Sequence, residues 1–263
     1  MELEIVSEHP AGRRSAHPLL FVHGAWHGAW CWENLLPWFV ARGFAAHAVS
    51  LRGHGGGDGR HRLRRWSIRH YVADLAEAVA SIEGDPILVG HSMGGLVVQR
   101  HLEKHSAPGA VLLASVPVTG ALATTLRVAR HHPAAFVKAN LQLRLGPIVG
   151  SEALARDLLF SPTSPASVVN GTFRRLQDES YLAFLSMILR RPRPDRVRSP
   201  VLVIGADGDQ IFRPYEVEAT AVAYRTDAVM LAGRGHDLML EPGWEEVAET
   251  IRRWVETIEV AAP

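Results

Sequence analysis

Residues Gly90-His91-Ser92-Met93-Gly94 follow directly on the apolar run Pro86-Ile87-Leu88-Val89. They form the pattern Gly-x-Ser-x-Gly, and the stretch from Gly95 onward has the periodicity of a buried helix. A strand, a sharp turn with serine at its tip and a helix together form a nucleophile elbow. Glycine on both sides of Ser92 supports this turn, because side chains there would clash with neighbouring backbone. We therefore expect the Ser92 hydroxyl to act as a nucleophile above the carboxyl end of a strand.

The composition is that of a globular protein with a sizeable core. Hydrophobic residues make up 47% of the 263 residues and charged residues 21%. Lys and Arg number 28 against 27 Asp and Glu, so the net charge of +1 favours neither nucleic-acid binding nor stable membrane association. The basic run Arg60–Arg65 is a local exception. It is either a solvated loop or a site that attracts an anionic substrate or a lipid surface.

Cysteine and targeting signals favour the cytoplasm. Cys31 is the single cysteine, which excludes an intrachain disulfide and is expected to be a small buried residue. The first residues, Met1 to Val6, carry acids where a signal peptide needs positive charge. Apolar runs are shorter than a membrane span requires. The 14 histidines are scattered without metal-ligand spacing, so we expect neither a metal nor an organic cofactor.

Apolar runs alternate with helix-like segments along most of the chain. The strand-like runs are residues 18–22, 44–50, 86–89, 110–114, 200–205 and 228–232. The helix-like segments are Cys31–Ala41, Ser67–Glu83 and Trp244–Ile258. Continuous apolar strands separated by helices predict a mostly parallel sheet that is covered on both faces. Residues Leu3, Ile5 and Ser7 alternate with acids and predict an antiparallel edge strand.

The strand rhythm stops between Val116 and Val197. Helix-like pieces at residues 122–130, 151–160 and 180–190 are separated there by prolines. We interpret residues 117–197 as a helical cap insertion over the mouth of the active-site crevice. Residues 1–116 then form the first part of an α/β core, and residues 198–263 form the second part.

Two further strand ends carry residues suited to assist Ser92. Acyl transfer by serine needs a base to take the hydroxyl proton and an acid to orient that base. The run at 201–205 leads into Asp207 and Asp209, and the run at 229–232 leads into Gly235-His236. We expect His236 to be the base. Either aspartate satisfies this pattern, and the other one is expected to cap the turn.

The loop after the first apolar run supplies a candidate oxyanion hole. It reads His23-Gly24-Ala25-Trp26, and Gly24 allows the backbone to approach a substrate closely. We expect the backbone amides of Ala25 and Met93 to stabilise the oxyanion. His23 is expected to be a structural hydrogen-bonding residue beneath the loop, and His54 in Arg52-Gly53-His54-Gly55 is expected to brace loops.

These motifs together resemble the α/β-hydrolase superfamily along the whole chain apart from the insertion. The resemblance implies an α/β-hydrolase fold, a mostly parallel sheet flanked by helices, and the chain order Ser92, acid, His236. It favours Asp209 over Asp207 as the acid, because Asp209 immediately precedes Gln210-Ile211-Phe212.

Residues 23–32, His-Gly-Ala-Trp-His-Gly-Ala-Trp-Cys-Trp, resemble more specifically the plant methylesterase and hydroxynitrile lyase branch. Lyases of this type carry threonine in place of Gly24 and lysine after the catalytic histidine, where this chain has Asp237. The resemblance therefore favours esterase chemistry. Ser92 excludes the epoxide hydrolase and dehalogenase branches, which use an aspartate nucleophile.

The sequence thus predicts a serine hydrolase that cleaves small to medium apolar carboxylic esters through an acyl-enzyme intermediate. Other acyl-type reactions remain open: hydrolysis of a carbon–carbon bond, a thioester or a lysophospholipid, or perhydrolysis. A ligand-binding relative without catalysis is the alternative from another class. The expected pocket residues are Trp26, Trp30, Leu96, Phe136, Phe160, Met187, Phe212 and Leu238. The sequence leaves the oligomeric state open.

Overall fold

A seven-stranded sheet lies at the centre of the protein, whose computed structural model describes residues 2–12 and 15–261. The strands are β1 (Glu4–Glu8), β2 (Leu19–Val22), β3 (Ala46–Ser50), β4 (Ile87–His91), β5 (Ala110–Leu113), β6 (Val201–Ala206) and β7 (Ala228–Leu231). Their spatial order is β1-β3-β2-β4-β5-β6-β7. β1 pairs antiparallel with β3, and the other neighbouring strands pair in parallel. This confirms the predicted fold class and the antiparallel edge strand.

Ten α-helices are described along the same residues. They are α1 (Leu35–Val40), α2 (Ile68–Ser81), α3 (Met93–Leu102), α4 (Leu122–His131), α5 (Pro133–Gln142), α6 (Glu152–Leu159), α7 (Ala166–Phe173), α8 (Tyr181–Leu189), α9 (Pro214–Ala223) and α10 (Trp244–Ala261). Short 3₁₀ helices occupy Ala29–Trp32, Arg60–Arg65, Gly146–Val149 and Pro194–Arg196. In the part of the chain described, no helix combines the length and apolar character needed to cross a membrane.

The central strands are apolar because both of their faces are covered. Every residue of β2, β4, β5 and β6 is buried. Helix α2 packs against α3, α1 packs against α10, and α9 packs on β6. Burying one large aliphatic side chain of such a strand contributes about 1.5–3 kcal/mol to the fold. A continuous apolar run is therefore the sequence pattern of a strand in this sheet.

Proline explains where the predicted helices differ from those observed. Cys31–Ala41 was expected to form one helix, which is wrong: the 3₁₀ turn Ala29–Trp32 is followed by the separate α1 (Leu35–Val40). Pro37 lacks an N–H and is tolerated in the first turn of α1 but not in the interior of a longer helix. Helices α5, α7 and α9 were not predicted. Each begins at or directly after a proline, whose fixed φ suits a first helical residue.

We refer to residues 117–197 as the cap. Four hydrogen bonds join the cap to the loop after β2, the loop after β6 and helix α9. The Trp26 indole N–H donates to the Leu145 carbonyl at 3.2 Å. The backbone N–H of Gln177 donates to the Trp26 carbonyl at 2.8 Å. Arg127 of α4 donates to the Ile211 carbonyl and to Glu216. The cap is therefore held at both the β2 loop and the β6 loop.

A buried ion pair provides another attachment of the cap. His54 Nε2 lies 3.0 Å from Glu179 Oε2, and both side chains are fully buried. The Tyr71 hydroxyl donates to the other Glu179 oxygen at 2.7 Å. Burial by itself lowers the pKa of His54, but the adjacent Glu179 carboxylate outweighs burial and raises that pKa. His54 thus contacts a cap residue from the loop after β3.

We expect Glu179→Gln to destabilise the fold in a pH-dependent way. The folded-state pKa of His54 is raised above the unfolded value of about 6.5. The pair therefore makes its full contribution to the free energy of unfolding below about pH 6.5. Its contribution disappears as the pH rises through the folded-state pKa. Breaking a buried pair costs about 3–5 kcal/mol, so urea unfolding of wild type and variant should differ most below about pH 6.5.

The matched control is Glu33→Gln, which breaks the exposed pair with Arg175. An exposed pair contributes about 1 kcal/mol or less, so this variant should remain close to wild type throughout. If the difference in the free energy of unfolding between wild type and Glu179→Gln stays constant from acidic to alkaline pH, the assignment of a His54–Glu179 ion pair is contradicted.

Candidate active site

Ser92 lies at the tip of the turn between β4 and α3. Its φ of 52° and ψ of −117° lie outside the ordinary right-handed region, a conformation that costs about 1–3 kcal/mol. The backbone around it permits no side chain on the flanking glycines: a Cβ at Gly90 would lie 2.6 Å from the Gly94 carbonyl oxygen. The Ser92 N–H donates to the Leu113 carbonyl of β5 at 3.0 Å, which holds the turn against the sheet.

Three side chains meet at this turn. Ser92 Oγ lies 2.9 Å from His236 Nε2, and His236 Nδ1 lies 2.8 Å from Asp209 Oδ2. His236 and Asp209 are buried, with 1% and 0% of their surface exposed. A carboxylate accepts hydrogen bonds, so Nδ1 is the donor and Nε2 is left to accept from the serine hydroxyl. The arrangement can therefore transfer the Ser92 proton to His236.

The two candidate acids have different surroundings. Asp209 Oδ1 accepts from the backbone N–H groups of Ile211 at 2.7 Å and Phe212 at 3.1 Å, which orients its other oxygen toward His236. Asp207 Oδ1 accepts from the backbone N–H of Gly233 at 2.7 Å. The structure thus places the Asp209 carboxylate beside the imidazole of His236. The Asp207 carboxylate instead bonds to Gly233, in the turn between β7 and His236.

Electrostatics set the protonation of the neighbouring imidazoles. Burial by itself lowers the pKa of His236, but the Asp209 carboxylate and its hydrogen bond outweigh burial, so the pKa is raised above its ordinary value. Asp237 adds to this increase. The pKa of His91 falls to about 3, mainly because of burial and then because of the charge of His236. At neutral pH His91 is therefore uncharged.

The candidate oxyanion donors flank Ser92. Met93 is the first residue of α3, where the backbone N–H has no partner within the helix. Ala25 lines the same cavity as Ser92. His23 lies beneath this loop: its Nδ1 donates to the Gly24 carbonyl at 2.7 Å, and its Nε2 accepts from the Leu51 N–H at 3.0 Å. Burial holds the pKa of His23 well below its ordinary value, in agreement with the accepting nitrogen.

A third buried histidine–carboxylate pair was not recognised in the sequence. Asp237 Oδ2 lies 3.1 Å from His27 Nε2, and His27 Nδ1 lies 2.7 Å from the Ala25 carbonyl. Burial by itself raises the pKa of Asp237, but His27 outweighs it and lowers that pKa. Asp237 thus connects the residue after His236 to the candidate oxyanion loop.

The Ser92 hydroxyl opens into a cavity beneath the cap. Four of the expected pocket residues line it: Trp26, Phe136, Met187 and Phe212. The other four lie elsewhere among the described residues. Leu96 and Leu238 are fully buried in the core, Phe160 packs its backbone against Gly235, and Trp30 stacks with His27 and Arg175.

The polar side chains of the cavity wall already have partners within the protein. Thr124 donates to the Ile211 carbonyl at 2.8 Å, and Thr125 donates to the Ala121 carbonyl at 2.8 Å. The Tyr181 hydroxyl donates to Asn140 Oδ1 at 2.6 Å. The lining residues include no charged side chain. Apart from Ser92 and the backbone amides beside it, the wall is therefore suited to apolar groups.

In the described residues no three His, Cys, Asp or Glu side chains are grouped so that they could hold a metal ion.

Comparison with known proteins agrees with this architecture. The profile of the alpha/beta hydrolase family matches residues 19–250. A pyrethroid hydrolase from Sphingobium wenxiniae is 37% identical over 87 residues, which is 33% of this chain and 31% of that protein. Methylesterase 2 from Arabidopsis thaliana is 35% identical over 94 residues, or 35% of each chain. The matches to these relatives thus span about a third of their length.

A solved structure of similar fold is a thermophilic esterase from Thermogutta terrifontis. The TM-score is 0.75 and the identity 22%, with 97% of this chain and 94% of the esterase covered. At this level of identity the similarity demonstrates a shared fold.

We expect Asp237→Asn to lower the pKa of His236, because the Asp237 charge is one of the causes that raise it. NMR titration of the His236 ring measures this directly. Asp207→Asn is the matched control, since its carboxylate contacts the Gly233 amide. A His236 pKa that responds equally to both substitutions would contradict the role given to Asp237.

Proposed function

Because the chain belongs to the alpha/beta hydrolase family, we propose that it is a serine hydrolase that cleaves small to medium apolar carboxylic esters. The observation that carries this proposal is the continuous contact from Ser92 Oγ through His236 to Asp209, at the floor of an apolar cavity. The assignment makes Ser92 the nucleophile, His236 the general acid and base, and Asp209 the residue that orients His236.

The proposed reaction proceeds in two halves. Ser92 Oγ attacks the ester carbonyl while His236 Nε2 accepts the hydroxyl proton, and the resulting oxyanion is stabilised by the N–H groups of Ala25 and Met93. The intermediate collapses to an acyl-enzyme, and the leaving alcohol takes the proton from His236. Water then attacks the acyl carbon while His236 Nε2 accepts a water proton. The bond between Ser92 Oγ and the acyl carbon breaks as His236 returns that proton to Ser92 Oγ, and the carboxylic acid departs. Asp209 stays ionised and holds the Nδ1 proton throughout.

Two features support an ester over a cyanohydrin as substrate. A Cβ at position 24 would lie 2.8 Å from His91 Nδ1 and 2.9 Å from the Ser92 Cβ, so the threonine of the lyases has no room here without movement. The residue after His236 is Asp237, whose pKa is lowered, so a negative charge stands where a lyase places a cation. The names of the pyrethroid hydrolase and the methylesterase relatives also support ester chemistry.

We expect Ser92→Ala to lower the hydrolysis of short-chain p-nitrophenyl esters by about 10⁴-fold or more, because the acyl-enzyme no longer forms. A fluorophosphonate probe should label wild type and not the variant. Ser81→Ala, an exposed serine at the end of α2, is the control and should retain activity and labelling. A Ser92→Ala protein that hydrolyses and labels like wild type would end the proposal.

We expect kcat/KM to decrease as the pH is lowered, following the protonation of a single group. The apparent pKa of this acidic limb should lie above about 6.5. Catalysis needs the neutral form of His236, whose pKa is raised by Asp209, so activity appears only as the pH rises through that value. A pH profile of kcat/KM for a p-nitrophenyl ester measures it. An acidic limb that lies well below pH 6.5 would show that another group controls the rate.

A further inference from the structure

The outer surface of the cap carries an unusual concentration of exposed apolar side chains. Ten large apolar side chains are exposed in the described part of the chain, and seven of them lie in the cap. We call these seven the outer cap face: Leu122, Leu126, Val137, Leu141, Leu143, Leu182 and Leu189. Between 44% and 81% of the surface of each is exposed. A concentration of this kind marks an interaction surface.

The helices that carry the outer cap face meet at their ends. Leu122 and Leu126 are one turn apart on α4, as are Val137 and Leu141 on α5. The Ala121 N–H donates to the Met187 carbonyl at 3.0 Å, which brings the start of α4 to the end of α8.

The opposite end of α8 meets the end of α5. The Tyr181 hydroxyl bonds to Asn140 there, and Arg144 forms a β-bridge with Ser180. Leu182 therefore lies at the end of α5 that carries Leu141 and Leu143.

The same helices line the cavity with their opposite faces. On α4, Leu126 is exposed whereas Val128, two residues on, lines the cavity. On α8, Leu189 is exposed and Met187 lines the cavity. Two residues turn a helix by about 200°, so these side chains point in opposite directions. A single layer of helix separates the outer cap face from the cavity.

The charges around this face are mainly positive. Residues 104–151, which include α4 and α5, contain no Asp or Glu, and α8 contains none either. Arg130, Lys138 and Arg190 are exposed on or beside these helices. The acids that lie nearby are engaged: Asp157 pairs with His132, and Asp178 pairs with Arg144.

The basic run Arg60–Arg65 extends this positive surface. It contacts α8 and lines a surface groove together with Arg144 and Asp178. Arg62, Arg64 and Arg65 are exposed.

We propose that the outer cap face docks on an anionic lipid bilayer, with its leucines in the interface and the surrounding Arg and Lys against the headgroups. Apolar side chains rimmed by cations suit this surface. A second copy of the chain suits it less, because a symmetric contact would bring Arg130 and Lys138 against the same cations with no acid on α4, α5 or α8 to pair with them. The net charge of +1 does not favour stable membrane association of the protein as a whole, whereas the local positive charge of this face does.

The position of the face indicates its use. Docking places the cap, and the cavity one helix layer beneath it, against the phase in which apolar esters dissolve. The inference that the bilayer supplies the substrate rests on the proposed ester hydrolysis, whereas the docking proposal does not. The bilayer would therefore be the source of the substrate.

Sedimentation with vesicles tests the docking. The full chain should bind vesicles of phosphatidylcholine with about 30% phosphatidylglycerol at least tenfold more tightly than phosphatidylcholine alone, and salt should weaken this binding. The combined substitutions Leu126→Gln, Leu141→Gln and Leu189→Gln should reduce binding by about tenfold or more. Val222→Gln, an exposed apolar position on α9 outside the cap, should leave binding unchanged.

Activity assays separate docking from catalysis. The triple variant should keep wild-type activity on a water-soluble p-nitrophenyl ester and lose about tenfold on an ester dissolved in the anionic vesicles. Ser92→Ala should still bind vesicles. The vesicle-binding experiment can therefore be interpreted even if the catalytic proposal fails. Wild type that fails to bind anionic vesicles overturns the proposal. A dimer in light scattering that the triple variant dissociates, with no vesicle binding, overturns it in favour of self-association.

Discussion

The parallel pairing of the central strands is the constraint on which the site depends. Parallel strands end at the same edge of a sheet, so the loops after β2, β4, β6 and β7 emerge side by side. Val22 lies opposite Gly90, and Ala206 lies opposite Leu231, so the register aligns the ends of these strands. Residues 144 positions apart in the chain, Ser92 and His236, come within hydrogen-bonding distance for this reason. The strained turn at Ser92 persists because the surrounding backbone leaves no alternative.

Besides His236 and Asp209, two further buried histidine–carboxylate pairs give this edge its electrostatic organisation. The pair of Asp237 and His27 connects the segment of His236 to the candidate oxyanion loop. The pair of His54 and Glu179 connects the loop after β3 to the cap. Buried charges are costly unless they are paired, so each pair stabilises one relative position of two loops that are distant in sequence. Asp237 also affects the proton affinity of His236, which links loop position to the chemistry of the site.

The cap combines an enclosing and an exposed surface in one layer of helices. Its inner side chains close an apolar space in which the polar groups are paired with one another or with backbone carbonyls. Its outer side chains are also apolar, although they are exposed in the isolated chain. Helical periodicity explains how one short sequence serves both surfaces, since positions two residues apart face opposite ways. The absence of acids from α4, α5 and α8 gives the outer surface its positive rim.

Local sequence determined the fold class, because apolar runs and glycine-flanked turns act through neighbouring residues and through the general rules of parallel sheets. It also named Ser92 and His236, which the structure brings together. The family resemblance favoured Asp209 over Asp207, but only the tertiary structure shows that two backbone amides orient the Asp209 carboxylate toward His236 while a third holds the Asp207 carboxylate. The tertiary structure alone decided which apolar residues face the cavity and which belong to the core. The pairing of Asp237 with His27 joins positions 210 residues apart, and no local pattern encodes a contact that long-range packing creates.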